Sequence, residues 1–356
     1  MVFSACGSDD HSSGASASPS NVPAATTDIA SASDTTGEAA ATTYPLTIEN
    51  CGRQITLDAA PKRVVILNGS SVAEVESLIA LGLQGSIAAN SQSYGVSDDP
   101  SMVAAIKAIP TGGMQLNESF EVPREQVLAQ NPDLVMSTWS GGFDPKIGSI
   151  SRDDLDSLGI ASFVSPVNCA LGGTDPSAAD TAALAAQTYE TSFELLRDLG
   201  VIFDVQAKAE AVIAEQQARI AAVSKPVGAD PAHVLVVYPG MSMMNANNLP
   251  AAFTGPFYDS IITAAGGVAT FVGEASNFAA QLNAEALAAA DVDVLVIGLF
   301  LPDEQADVYA QELFKQYPEW NASKTKTYTS VADSFYLGPL NAIAIEKIGK
   351  AIDTLG

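Results

Sequence analysis

The sequence predicts an α/β protein, with two α/β lobes that contain parallel sheets and are joined by a single long connecting helix. Three observations favour this fold class. Apolar strand-like runs alternate with helix-like stretches in both halves of the chain. Residues 204–224, which contain neither Gly nor Pro, separate the two halves. A chain of 356 residues is also long enough to bury two separate cores.

The stretch between the halves has the pattern of one continuous helix. Asp204 is a suitable N-cap residue, and the run ends before Pro226 and Gly228. Apolar residues recur at helical spacing while Glu, Gln and Arg occupy other faces, so the helix is expected to pack in part and to meet solvent in part. At 1.5 Å per residue it would span roughly 30 Å. A surface helix of a single α/β domain is the alternative.

The first half begins near Tyr44 with two short alternating segments, which predict a hairpin around Asn50–Gly52. The run PKRVVIL at residues 61–67 then has the continuous hydrophobicity of a strand in a parallel sheet. Repeated strand and helix patterns follow, as in an open parallel sheet. Further strands are predicted at 86–89, 134–137 and 161–164, and helices at 72–81, 103–106, 123–130, 152–158 and 178–199.

The same alternation resumes after Pro226. Strands are predicted at 233–238, 292–297 and 325–331, and helices at 256–264, 284–290, 305–317 and 340–355. These patterns divide the chain into an N-terminal tether (1–43), a first lobe (44–203), the connecting helix (204–225) and a second lobe (226–356).

Two segments, one in each half, match more closely than the general pattern requires. Residues 124–135 read REQVLAQNPDLV and residues 284–295 read AEALAAADVDVL. Each has a Glu at the start of a helix, Glu125 or Glu285, and an Asp eight residues later, just before an apolar strand. This duplicated helix–strand unit predicts that the lobes share one architecture and face each other across a cleft.

Composition excludes several classes of partner. The formal net charge is −25, from 41 acidic and 16 basic residues, and no cluster of Lys and Arg is present to bind nucleic acid. The same charge disfavours electrostatic adhesion to anionic lipid. No run of 18 or more apolar residues occurs, so the sequence predicts no membrane span.

The N-terminal residues MVFSACGS resemble the end of a bacterial lipoprotein signal, in which small residues precede a Cys that receives lipid. Residues 7–43 are rich in Ser, Thr, Ala and Pro and contain no Lys or Arg, so they cannot bury a core. We therefore expect Cys6 to carry a lipid anchor, followed by a disordered tether. The alternative is an ordinary thiol in a tail.

Two cysteines then remain, Cys51 and Cys169, and an even number in an exported chain favours a disulfide. Such a bond would stabilise the protein by about 2 to 4 kcal/mol. Two buried free thiols are the alternative.

No catalytic, metal or nucleotide site is predicted. His11 and His233 are the only histidines, so a Ser-His-Asp triad would depend on His233, which stands at a strand start. Clustered metal ligands and a phosphate-binding glycine loop are both absent from the sequence. The carboxylate pairs Glu74/Glu76 and Asp153/Asp154 lie in predicted helices, where adjacent acids usually mark a solvated face.

Several motifs together resemble the substrate-binding proteins of iron-siderophore and cobalamin ABC importers. They are PKRVVILN, EVESLIALGL, REQVLAQNPDLVMSTW and LGIASFV in the first half, and AGGVATF and NAEALAAADVDVLVIG in the second. The likeness covers nearly all of residues 44–356. It implies a class III substrate-binding protein, the helical-backbone type, with its ligand in the cleft. The motif Asn50-Cys51-Gly52, together with Cys169, is similar to an actinobacterial lipoprotein subgroup.

The resemblance implies a bulky metal chelate as ligand, which already satisfies its own metal. No cofactor and no protein metal ligand are then required, and aromatic surfaces with a few hydrogen bonds would hold the chelate. Candidates follow the predicted strand ends, where open α/β sheets bind ligands. They are Tyr94, Met114, Trp139 and Phe143 in the first lobe, and Tyr238, Met241, Met244, Asn245, Phe300 and Phe335 in the second. For each of the aromatic residues, core packing is the alternative.

The resemblance also assigns roles outside the cleft. A Glu at the matched helix start of each lobe, here Glu125 and Glu285, would form a salt bridge with an arginine pocket of the ABC permease. The expected protein is a monomeric lipoprotein on the extracellular face of the cell membrane, held there by its lipid anchor only. It would deliver a ferric siderophore to the permease. Alternatives are a binding protein for cobalamin, haem or a deazaflavin precursor, and an extracellular sensor module. An enzyme is disfavoured.

Overall fold

The computed structural model describes residues 40–69, 71–93, 96–241, 249–271 and 283–356. Residues from Ala39 to Gly356 belong to one compact unit. Two α/β lobes with largely parallel sheets are present, as predicted. Within the described ranges, none of the helices combines the length and hydrophobicity that a membrane span requires.

The first lobe opens with an antiparallel hairpin, β1 (Leu46–Asn50) and β2 (Arg53–Leu57). Its main sheet has four parallel strands in the order β4-β3-β5-β6. These strands are β3 (Val64–Ile66), β4 (Ile87–Asn90), β5 (Leu134–Ser137) and β6 (Ala161–Val164). The helices are α1 (Ala73–Ala80), α2 (Pro100–Ala108), α3 (Arg124–Ala129), α4 (Arg152–Ser157), α5 (Ala178–Ala185) and α6 (Thr191–Ile202).

The second lobe has a five-stranded sheet in the order β11-β10-β7-β8, with β9 also paired to β7. Its strands are β7 (His233–Tyr238), β8 (Ala251–Ala252), β9 (Val268–Ala269), β10 (Val294–Gly298) and β11 (Tyr328–Val331). Only β8 runs antiparallel to its neighbour. The helices are α8 (Pro256–Ala264), α9 (Ala284–Ala288), α10 (Ala306–Gln316), α11 (Asn321–Thr325) and α12 (Asn341–Asp353).

The connecting helix, α7, runs from Gln206 to Val223. The prediction that Asp204 caps it was wrong. Val205 is the N-cap residue and makes no side-chain capping bond. Asp204 instead takes a positive φ of 56° after α6, and its carboxylate accepts a hydrogen bond from the Thr42 N–H at 2.7 Å. Asp204 therefore joins the N-terminal segment of the body to the turn between α6 and α7.

The single helix predicted at residues 178–199 is also wrong, because the structure divides it into α5 and α6. Thr188 and Tyr189 interrupt it: the Thr188 N–H bonds to the Thr191 hydroxyl, and the Tyr189 N–H to the Ser260 hydroxyl. The second helix continues through Gly200 instead of ending there. A Cβ at Gly200 would lie 2.9 Å from the Ala209 Cβ, so this glycine permits close packing of α6 on α7.

The disulfide between Cys51 and Cys169 is confirmed, with a Cα–Cα distance of 5.1 Å. It links the turn of the β1–β2 hairpin to the loop after β6. The buried Arg152 guanidinium supports the same corner, since it donates to the Asn50 carbonyl and the Ser162 hydroxyl. Burial lowers the pKa of Arg152 to about 10, so it still carries its charge at neutral pH.

The duplicated unit is visible as matched hydrogen bonds in the two lobes. Asp133 accepts a bond from the Arg63 N–H at 2.9 Å and donates its own N–H to the Arg63 carbonyl. Asp293 exchanges the same two bonds with His233. Each Asp therefore fixes the start of the central strand of its lobe, β3 or β7.

Candidate ligand-binding cleft

Loops at the carboxyl ends of the two sheets meet between the lobes, in the region where open α/β sheets bind ligands. Asp98, in the loop after β4, accepts hydrogen bonds from groups of the second lobe. The donors are the Ala332 N–H at 2.6 Å, the Ser334 hydroxyl at 2.5 Å and the Lys347 ammonium at 2.6 Å. The Asp98 N–H in turn donates to Asp333 at 2.9 Å. We call this set of contacts the interlobe clamp.

Glu74 lies at the centre of the carboxyl edge of the first sheet. Its carboxylate accepts hydrogen bonds from side chains that follow three different strands: Gln92 after β4 at 2.6 Å, Thr138 after β5 at 2.8 Å, and Ser165 after β6. The prediction of a solvated face for Glu74 and Glu76 was therefore wrong, because both side chains are fully buried. A buried carboxylate is stable where several donors surround it. The other pair, Asp153 and Asp154, is at least partly exposed, as expected.

Glu76 lies beside Asp333, under the interlobe clamp. Burial, followed by the effect of the neighbouring Asp333 carboxylate, raises the pKa of Glu76 well above its ordinary value. Neither Glu76 oxygen meets an N–H or hydroxyl donor, and Asp333 Oδ2 also lacks one. A proton on Glu76 that is donated to Asp333 satisfies both groups. This carboxyl pair therefore enters the interlobe region with one negative charge instead of two.

Glu304 occupies the corresponding edge of the second sheet. Its Oε2 accepts hydrogen bonds from the N–H groups of Phe300 and Leu301, both at 2.5 Å, just beyond the end of β10. Its Oε1 lies over Gly240, at the end of the neighbouring strand β7, where an added Cβ would come within 1.3 Å of it. Glu304 is partly exposed and so brings a negative charge to the rim of the second lobe.

The candidate ligand-contacting aromatics separate into buried and accessible groups. Tyr238 and Phe335 have no exposed surface: Tyr238 stacks on Phe253 at 4.3 Å between ring centroids, and Phe335 stacks on Tyr258 at 5.2 Å. Phe143, Met241 and Met114 are also buried within hydrophobic clusters. Tyr94, Met244, Asn245 and Cys6 lie outside the described residues.

Trp139 and Phe300 are the candidates that combine partial exposure with a place at a strand end. The Trp139 ring lies against Gly141 and Gly172, where an added Cβ would approach it to 2.4 Å and 2.6 Å. The loop that carries Gly172 is held by the Gly141 N–H, which donates to the Leu171 carbonyl at 3.1 Å, and by the Cys51–Cys169 disulfide. The disulfide therefore supports the loop on which Trp139 rests.

Three exposed apolar side chains at the carboxyl edges were missed by sequence reasoning, namely Phe120, Leu171 and Leu301. Phe120 is the most exposed, at 60%, and has a positive φ of 61°. Its carbonyl accepts a bond from Asn68, directly after β3, and its N–H donates to the Asn117 carbonyl. An aromatic residue with positive φ in a loop has no signature in hydrophobic periodicity, so the sequence gave no signal for it.

The two proposed docking carboxylates occupy matched positions. Glu125 is in the first turn of α3 and Glu285 in the first turn of α9, and both are exposed. Only the second helix has a side-chain cap, in which Asn283 accepts from the Ala286 N–H at 2.8 Å.

The opposite edge of the second sheet holds His233, Asp291 and Asp293, whose potential ligand atoms lie within 4.8 Å of one another. Asp293 already bonds to the His233 N–H and to the Asn321 amide. Since Asp133 makes the equivalent backbone bonds without a histidine, we interpret Asp293 as a structural residue.

The model of the periplasmic binding protein family matches residues 64–328, most of the described body. The chain belongs to the periplasmic binding protein family. Members of this family are substrate-binding proteins that work with ABC permeases and are not enzymes. No curated protein sequence matches the chain.

Solved structures of periplasmic binding proteins share its fold. An ABC-type Fe³⁺-hydroxamate transport protein from Saccharomonospora viridis is 24% identical, with 87% of this chain and 99% of that chain covered and a TM-score of 0.63. A periplasmic binding protein from Veillonella parvula is 18% identical, with 86% and 97% covered and a TM-score of 0.66. The haem-binding protein RhuT from Roseiflexus is 19% identical, with 82% and 98% covered and a TM-score of 0.57.

Proposed function

We propose that this protein is the extracellular substrate-binding lipoprotein of an ABC importer, and that it captures a ferric siderophore or a similar metal chelate. The observation that carries the proposal is the placement of partly exposed aromatic side chains, Trp139 and Phe300, at strand ends of the two lobes. Bulky chelates are held by such surfaces with few polar contacts. Fold similarity to a hydroxamate transport protein and to a haem-binding protein agrees with this ligand size.

Ligand binding is tested by native mass spectrometry and tryptophan fluorescence against ferric siderophores, haem, cobalamin and deazaflavin precursors. The chain has two tryptophans, and Trp320 is buried in the second lobe. Quenching by a bound chelate should therefore fall mainly on Trp139, and Trp139→Phe should retain the Trp320 signal alone. Trp139→Ala should weaken binding at least tenfold, about 1.4 kcal/mol. Unchanged affinity in a folded Trp139→Ala protein would return this side chain to a packing role.

Glu125 and Glu285 are proposed to dock the protein on an arginine pocket of the permease. Two charged contacts on one body would fix its orientation over the translocation path. Replacement of both by Gln should leave ligand affinity and the melting temperature nearly unchanged while abolishing stimulation of the transporter ATPase. Exposed Glu215 on α7 is a matched control, because Glu215→Gln removes the same charge elsewhere. Normal stimulation by the double variant would contradict the docking role and would favour the sensor alternative.

The lipid anchor on Cys6 is part of the same proposal. Full-length protein expressed with a complete lipoprotein signal should fractionate with membranes and incorporate labelled fatty acid, whereas a Cys6→Ser variant should be released as a monomer. Release of both proteins to the same extent would contradict anchoring through Cys6.

A further inference from the structure

The polar groups at the strand ends suggest the charge of the ligand. At the carboxyl edge of the first sheet, the side-chain donors of Gln92, Thr138 and Ser165 all point at the Glu74 carboxylate. The Asn68 amide, after β3, is also occupied, because it donates to the Phe120 carbonyl at 2.7 Å. These neutral donors, which in another protein could bind an anionic ligand, are therefore used inside this one.

The second lobe shows the same arrangement. The N–H groups of Phe300 and Leu301 form a nest for an anion after β10, and Glu304 fills it. After β11, the Ala332 N–H and the Lys347 ammonium are bound by Asp98 of the interlobe clamp. Three carboxylates of the protein thus occupy the donor groups at these strand ends, and only two nearby basic groups, Lys107 and Lys146, follow first-lobe strands. Both are exposed, so solvent screens their charges.

We propose that the cleft selects chelates of zero or positive net charge, and that ferric tris-hydroxamates are the class that fits. This inference rests on the proposed function. Three hydroxamates carry three negative charges and cancel those of Fe³⁺, so the complex is neutral, or cationic when it bears a free amine. A ferric tris-catecholate carries a net charge of −3, and haem presents two carboxylates. Either would approach Glu74, Glu304 and Asp98 without free donors to offset the repulsion. The net charge of −25 repels such ligands at longer range as well.

The test compares chelates that differ in charge alone. A linear ferric tris-hydroxamate with a terminal ammonium (+1), its N-acetylated form (0) and its N-succinylated form (−1) share one coordination centre. Isothermal titration at low salt should give a dissociation constant roughly tenfold larger for the −1 form than for the +1 form. The ratio should shrink as salt is added. A ferric tris-catecholate should not bind.

Glu304 provides the variant and Asp230 its matched control. Glu304→Gln keeps an oxygen for the N–H groups of Phe300 and Leu301 but removes the charge, so it should reduce the ratio about threefold or more. Asp230→Asn makes the same change in an exposed loop before β7, at the opposite edge of the sheet, and should leave the ratio unchanged. If Glu304→Gln folds poorly, the salt dependence of the ratio in the unaltered protein decides.

Two results would overturn the proposal. Tighter binding of the −1 form or of the tris-catecholate would refute the charge selectivity while leaving the function as a chelate-binding protein intact. Absence of binding by all four chelates would refute the ligand class, and if haem, cobalamin and the deazaflavin precursors also fail to bind, the proposed function fails with it. An unchanged ratio in a stably folded Glu304→Gln protein would refute the role of the strand-end carboxylates.

Discussion

At the scale of single residues, Glu74 is the side chain on which the carboxyl edge of the first sheet depends. Glu74→Ala removes the acceptor of three buried donors and leaves a cavity, so we expect it to lower the free energy of unfolding by about 3 kcal/mol or more. Glu74→Gln should cost less, because it retains one oxygen. Urea denaturation measures both, with exposed Glu215→Ala as the control. Equal stability of Glu74→Ala and the control would show that the hydrogen bonds to Glu74 contribute nothing.

Glu121 gives the body a pH dependence. It is buried, its Oε2 has no hydrogen-bond donor, and burial raises the pKa of this carboxyl to about 7. Between its ordinary pKa and about 7, the folded protein holds a proton that the unfolded chain has released, so stability falls as the pH rises through this window. Glu121→Gln should therefore stabilise the protein at pH 8 by of the order of 1 to 2 kcal/mol and have little effect at pH 4.

Melting curves of the Glu121→Gln protein and the unaltered protein from pH 4 to 8 measure this difference. Asp154→Asn serves as a control at a carboxyl that is partly exposed and hydrogen-bonded to Ser151. A constant difference in melting temperature between the Glu121 variant and the unaltered protein across that range would contradict the assignment.

At the scale of elements, the disulfide joins the β1–β2 hairpin to the loop that supports Trp139. The two cysteines are 118 residues apart, so the bond constrains a long segment of the unfolded chain. Replacement of both by Ser should lower stability by about 2 to 4 kcal/mol. It should also release the loop on which the Trp139 ring rests, which would shift the emission of Trp139 while leaving that of buried Trp320 unchanged. Calorimetry and fluorescence of the double variant check the two effects separately.

Periodicity predicted most of the elements because each buries a regular apolar face. Strands β5, β6 and β7 have the predicted bounds. Short elements escaped, among them β8, β9 and α11, because two to five residues are too few to show a period. The break between α5 and α6 depends on a hydrogen bond to Ser260, far away in the sequence, and no local pattern announces such a bond.

The candidate site was less predictable than the fold. Strand-end positions identified Trp139 and Phe300 correctly as partly exposed, but the same rule selected Tyr238 and Phe335, whose rings pack on one another's neighbours in the core. Glu74 and Glu76 were assigned to solvent because adjacent acids on a helix usually are. Their burial depends on donors from three other strand ends and on Asp333, which become neighbours only in the folded protein.

At the scale of the whole molecule, the connecting helix and the interlobe clamp together restrict relative motion of the lobes. A continuous helix resists wide hinge bending, and the clamp adds a partly buried ion pair between Asp98 and Lys347. Saturation with ligand should therefore change the radius of gyration very little. Small-angle scattering with and without ligand measures it, and Asp98→Asn, which weakens the clamp, should increase the change. A large decrease in the unaltered protein would contradict this prediction.

The clamp also has a consequence for biosynthesis. Asp98 and the sheet of the first lobe, which ends at Val164, leave the ribosome early, whereas Lys347 is followed by only nine residues. The first sheet can therefore assemble during translation while the Asp98 carboxylate is still hydrated and the loop after β4 is unattached. Helix α12 supplies the counter-ion only when synthesis is almost complete. The orientation of the lobes is consequently fixed after chain termination, and a ribosome that stops shortly before α12 releases a first lobe that has its sheet but no partner for this loop.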